Sequence, residues 1–65
     1  MANPEQSPIM RHFQYSHLPQ KLQEVSAPFS KLAWELEDGL PPGPEKSVAL
    51  RKLLESKDAA VRAAL

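Results

Sequence analysis

Apolar residues recur along the first half of the chain at Leu18, Leu22, Val25, Phe29, Leu32 and Leu36, with gaps alternating four and three. At about 100° per residue all six fall within about 40° of one direction, a narrow seam of the coiled-coil kind. The spacing predicts a helix over about 19–37, with Ser16 or His17 before it and Pro19 in its first turn, where a missing N–H costs nothing. Pro28 interrupts this helix. It removes one backbone hydrogen bond and clashes with the carbonyl four residues back, yet the seam continues in phase, so a kink is expected rather than a stop. The run DGLPPGP at 38–43 and Pro44 breaks the pattern. Gly39 suits a left-handed cap. Pro44 and Glu45 then suit the first turn of a second helix, over about 44–65. Its stripe is Leu50, Leu53, Leu54, Val61, Ala64 and Leu65. Ala49, Ala60 and Ala64 are small enough to let another helix come close. Arg51 with Glu55, and Asp58 with Arg62, are spaced to pair on the outer surface. There is no strand signal and no internal repeat.

The expected fold is therefore all-α: an antiparallel helical hairpin over 11–65 behind a short flexible arm at 1–10, which is polar and broken by Pro4 and Pro8. Each seam covers the other while the outer flanks stay wet. Further burial is most simply supplied by another copy, so a homo-oligomer is expected.

The chain has 65 residues, 42% of them apolar, which suffices for one modest core and argues against disorder throughout. A deep catalytic cleft does not fit this size. Cysteine is absent, which excludes a disulfide scaffold and a thiolate zinc site. Eight Lys and Arg balance eight Asp and Glu, against binding to a nucleic-acid polymer. No apolar run approaches a membrane span, and the opening residues carry no secretory pattern, so a soluble cytosolic chain with no membrane partner is expected.

Several residues break the amphipathic pattern. Trp34 projects roughly 160° from the seam, suited to a subunit contact, a ligand-pocket wall or a protein-docking face. Lys57 falls inside the second helix's apolar stripe, where it either reaches out to water along its stem or lines an anion cavity. Phe13 and Tyr15 either close the end of the hairpin or stack on a flat ligand beside Arg11, His12 and His17. Arg62 either pairs with Asp58 or meets a phosphate. Glu35, Glu37 and Asp38 are most simply a solvated face. His12 and His17 have no third metal ligand at useful spacing, and Ser16–His17 has no orienting carboxylate, so no metal, cofactor or enzymatic chemistry is expected.

The same segments carry a family resemblance. Phe13-Gln14-Tyr15-Ser16-His17-Leu18-Pro19, then Leu40-Pro41-Pro42-Gly43-Pro44-Glu45-Lys46, then Ala49 to Glu55 and Lys57 to Ala63 resemble small phage proteins with the hairpin domain shared by anti-CBASS and anti-Thoeris sponges. The resemblance implies an all-helical hairpin, assembled as a hexamer, with ligand pockets between subunits. It implies sequestration, without cleavage, of cyclic di- or trinucleotides or cyclic ADP-ribose isomers in the cytoplasm of the infected bacterium. By the resemblance Tyr15 stacks on a base and Arg62 contacts a phosphate. The family's first-helix lysine has no direct match; Ser30 stands near that position and Lys31 is the nearest cation. Lys57 is a further candidate for the phosphate, and Arg11 with His12 for a second pocket.

Overall fold

The computed structural model describes residues 7–65. A 3-10 helix, Pro8–Phe13, leads into α1, Gln20–Gly39, and α2, Pro44–Ala64. The described residues contain no strand. The two long helices pack side by side as a hairpin, and the 3-10 helix touches both. The expected arm ends sooner than residue 10: Met10 is 1% exposed and packs with Phe13, Ala33 and Leu50 in the core. The polar, proline-broken pattern concealed this because Pro8 opens the 3-10 helix instead of interrupting one. The rest of that arm, 1–6, lies outside the described residues.

α1 begins one residue later than its pattern suggests. Pro19 is its N-cap, and no side chain caps it. The carbonyl of Pro19 accepts from the N–H groups of Leu22 and Gln23, both at 2.9 Å. The helix runs unbroken through Pro28. Gly39 is not the left-handed cap; it remains helical, and the extended Leu40 donates its N–H to the carbonyl of Leu36 at 3.0 Å. The positive φ falls instead on Gly43, at 156°, the residue before α2. A Cβ there would meet nothing within 4 Å, so the cost of a side chain is backbone strain alone. Gly43→Ala is expected to destabilise the hairpin by about 1 kcal/mol in urea denaturation. The helix start itself follows the sequence, with Pro44 in the first turn, Glu45 beside it and Arg62 in the last turn.

The main surprise is which face of α1 packs. The seam of large apolar residues is not the buried one. Ser26, Ser30 and Ala33 are buried, and Glu37 is half-buried in line with them. Those positions lie about 90° around the helix from the seam. Small side chains there let α1 approach α2 and admit Leu50, Met10 and Phe13 between the elements. Phe29 and Leu36 reach the core only from one edge. None of the six seam residues is fully buried, and Leu32 is 43% exposed. On α2 the stripe faces inward at Leu50, Leu53 and Leu54, Val61 and Ala64 are half-buried, and Leu65 is 81% exposed. Packing α1 through serines leaves a local cost. The Ser26 hydroxyl is buried and has no hydrogen-bond partner among the described residues.

Candidate functional site

The turn at 40–43 closes one end of the hairpin. At the open end the start of α1 lies beside the end of α2. The hairpin topology therefore puts Tyr15 and His17, just ahead of α1, at the same end of the molecule as Arg62 in the last turn of α2. The connecting segment is folded, not slack. Leu18 donates its N–H to the Tyr15 carbonyl at 3.0 Å. The Gln23 side-chain amide donates to the carbonyls of Leu18 at 2.7 Å and Ser16 at 3.3 Å, which draws the segment down onto the first turn of α1. Tyr15 is held half-buried by this arrangement, while His17 and Arg62 are exposed.

Lys57 joins the 3-10 helix to this end. Its ammonium donates to the His12 carbonyl at 3.0 Å and lies 3.7 Å from the Asp58 carboxylate. The lysine is neither reaching out to water nor lining an empty anion cavity. It satisfies a backbone carbonyl at the end of the 3-10 helix, and its side chain is only 13% exposed. The same contact brings His12, and Arg11 before it, alongside α2; both of their side chains are exposed.

The surface pairs differ from the expected ones. Glu55 meets Lys52 at 3.7 Å, and Asp58 meets Lys57. Neither Arg51–Glu55 nor Asp58–Arg62 forms among the described residues, so the Arg62 guanidinium carries no carboxylate contact there.

Lys31 and Trp34 are not part of this cluster. Both are exposed, Trp34 at 42%, one turn apart on the outer side of α1. Lys31 lies eleven positions beyond the first residue of α1, or about 16 Å along a helix axis. One protomer therefore holds Tyr15, His17 and Arg62 toward its open end, His12 against Lys57 farther back on α2 with Arg11 before it, and Lys31 and Trp34 farther along α1.

A cluster the sequence reading passed over sits near the closed end. Glu37 was expected on a solvated face, yet its side chain is 7% exposed. Its carboxylate accepts from the Ser7 N–H at 2.6 Å and the Ser7 hydroxyl at 2.8 Å. The Lys46 ammonium lies 2.9 Å from the carboxylate and also donates to the Glu37 carbonyl at 2.9 Å. Burial by itself pushes the Glu37 carboxyl upward, but the Ser7 N–H, the Lys46 ammonium and the Ser7 hydroxyl outweigh it, and the net shift is below the ordinary glutamate value. These contacts fasten the start of the described chain to the hairpin turn. The signal available in the sequence was Glu37 in line with Ser30 and Ala33, once those small residues are read as the packed face.

Among the described residues no helix is long and apolar enough to cross a membrane, and no group of three or more His, Asp or Glu is placed to hold a metal ion. No family model, curated protein or solved structure matches the chain.

Proposed function

We propose that the chain is a phage anti-defence sponge, which binds a cyclic nucleotide immune signal between copies of itself and withholds it from the host effector without cutting it. The observation that supports this reading most is the open end of the hairpin. It places a half-buried aromatic ring, Tyr15, and the exposed His17 at the same end of the hairpin as Arg62, an exposed arginine with no carboxylate contact among the described residues, while Arg11 and His12 lie exposed alongside α2. A cyclic nucleotide needs those two things, a flat apolar face for a base and fixed cations for its phosphates.

The dimensions argue for shared pockets. The protomer is small, with extents of 34 × 26 × 15 Å. A ligand with two or three nucleotides is enclosed only if several copies each supply a wall. The resemblance adds the hexamer, the ligand classes and the host cytoplasm. In this assignment Tyr15 stacks on a base, Arg62 binds phosphate, and His17 adds a hydrogen bond. Lys31 and Trp34 come from another copy. Lys57 joins the phosphate site only by releasing the His12 carbonyl, so Lys31 is the stronger second cation.

Native mass spectrometry with a panel of cyclic di- and trinucleotides and cyclic ADP-ribose isomers tests this directly. One ligand species is expected at a fixed ratio to a discrete oligomer, and it should be recovered intact after heat denaturation. Tyr15→Ala and Arg62→Ala are each expected to weaken binding by tenfold or more, about 1.4 kcal/mol, without loss of helicity. Wild-type affinity in both variants would refute the site.

The exposure of Trp34 favours a second reading, a small module that binds a protein through that face. A stoichiometric protein partner lost in Trp34→Ala, with no nucleotide uptake, would select it.

A further inference from the structure

We propose that the partly exposed apolar seam of α1 is the contact surface for a second copy of this chain, packed antiparallel against the same seam. The inference deepens the sponge reading by naming one surface through which copies meet, and of that reading it uses only the self-association.

The α1 seam serves the hairpin only in part: Phe29 and Leu36 pack against the core, while Leu32 is 43% exposed. Ser26 and Ala33, at 1% and 0% exposure, show where α2 and the 3-10 helix pack. Leu18, Leu22, Val25, Phe29, Leu32 and Leu36 stand about 90° away and all keep exposed surface. Their alternating spacing averages the coiled-coil repeat, so the surface that fits them is another helix with the same repeat. The spacing reads the same in both directions. A second α1 laid antiparallel therefore meets all six positions in one register. Leu18 faces Leu36 of the second copy, Leu22 faces Leu32, Val25 faces Phe29, and symmetry repeats each layer.

The edges of the seam select this orientation. One edge carries Lys21, Pro28 and Glu35; the other carries Ser26 and Ala33. A parallel pair sets the first edge of each helix against the second edge of its partner. That would drive Lys21 and Glu35 onto Ser26 and Ala33, which are already covered within each copy. An antiparallel pair sets like edges together. Lys21 and Glu35 sit at equal separations either side of Pro28, so each meets its opposite charge on the second copy. Glu24 and Lys31, one step farther out, repeat the same reversal. Both α2 helices then lie on one side of the α1 pair, giving a four-helix arrangement. A foreign helix would have to reproduce both the spacing and the charge order that a second copy supplies by symmetry.

The register also has a consequence for the site. It brings Lys31 and Trp34 of one copy level along the axis with the first turns of the other copy's α1, with both side chains on the sides of their helix turned away from the seam. Groups that one protomer keeps apart are thereby placed at the same end of a dimer.

The test is sedimentation equilibrium on the full chain without nucleotide. Wild type should associate, and Leu32→Glu should weaken association on the order of a hundredfold with helicity retained. Lys21→Glu and Glu35→Lys should each weaken it by about fivefold, and the double variant should recover wild-type association. The charge variants lie on the exposed edge, so they remain informative if Leu32→Glu unfolds. A monomeric wild type, unchanged association in a folded Leu32→Glu, or a double variant no better than the single ones would overturn the proposal. Loss of nucleotide binding in an intact dimer would count against the sponge reading and leave this interface standing.

Discussion

Phe13→Ala is expected to remove most of the stability of the hairpin. Phe13 is 1% exposed and is the largest fully buried side chain among the described residues. Truncating a buried phenylalanine costs about 3–5 kcal/mol, from lost transfer energy and the cavity left behind. A chain of 65 residues has a total of about 3–10 kcal/mol. The loss is therefore comparable with the whole. The effect is amplified by where Phe13 sits. It lies at the end of a 3-10 helix that contacts both long helices, so the cavity opens at a three-way junction that no single side chain can collapse into. Urea denaturation followed by circular dichroism measures the change. Protein concentration must be held fixed, because self-association raises apparent stability by mass action. A midpoint shift worth less than about 1 kcal/mol would mean that the 3-10 helix is not part of the cooperative unit.

The contrast between Phe13 and the residues of α1 shows what the sequence made legible. The two helices and the turn follow from apolar periodicity and from Pro41, Pro42 and Pro44. These are local effects, and local effects are visible in a string of residues. The inward stripe of α2 follows for the same reason, as does Lys57 within it. The choice of packed face on α1 does not. Periodicity weighs residues by hydrophobicity, so Ser26, Ser30 and Ala33 add almost nothing to it. Their value lies in size, which becomes visible only when a second helix approaches. Met10 escaped notice because an apolar residue among prolines looks like an arm until something packs on it. The cations of the open end were legible as residue types. Their roles were not, because the Lys57 ammonium is taken by a main-chain carbonyl, and main-chain carbonyls are alike in every sequence.

The same kind of blindness concealed Glu37, and replacing it is expected to have the second-largest effect. Glu37→Ala strips the carboxylate from between Ser7 and Lys46 and leaves the lysine, 11% exposed, without its counter-ion. Removing one partner of a largely buried pair costs about 3 kcal/mol, because the survivor stays desolvated. Glu37→Gln keeps the shape and loses the charge, so its loss should be smaller. The two variants differ from wild type in pH dependence as well. The folded carboxyl sits below its ordinary value, so near the onset of carboxylate titration the unfolded chain binds the proton and the folded chain does not. The stability that Glu37 contributes is thus complete above the ordinary glutamate range. It fades as pH falls through the depressed folded value. Other carboxylates titrate in the same region, so the informative quantity is the difference between wild type and Glu37→Gln in a series of urea midpoints. That difference should be constant near neutrality and shrink in acid. A difference that grew in acid would mean the carboxyl is held above its ordinary value, with burial outweighing Ser7 and Lys46. Either result also reports on the start of the described chain, since Ser7 is fastened to the hairpin by this carboxylate. Acid that releases Glu37 should loosen the 3-10 helix before it melts α1 and α2, and amide exchange at Met10 and Phe13 would register that order.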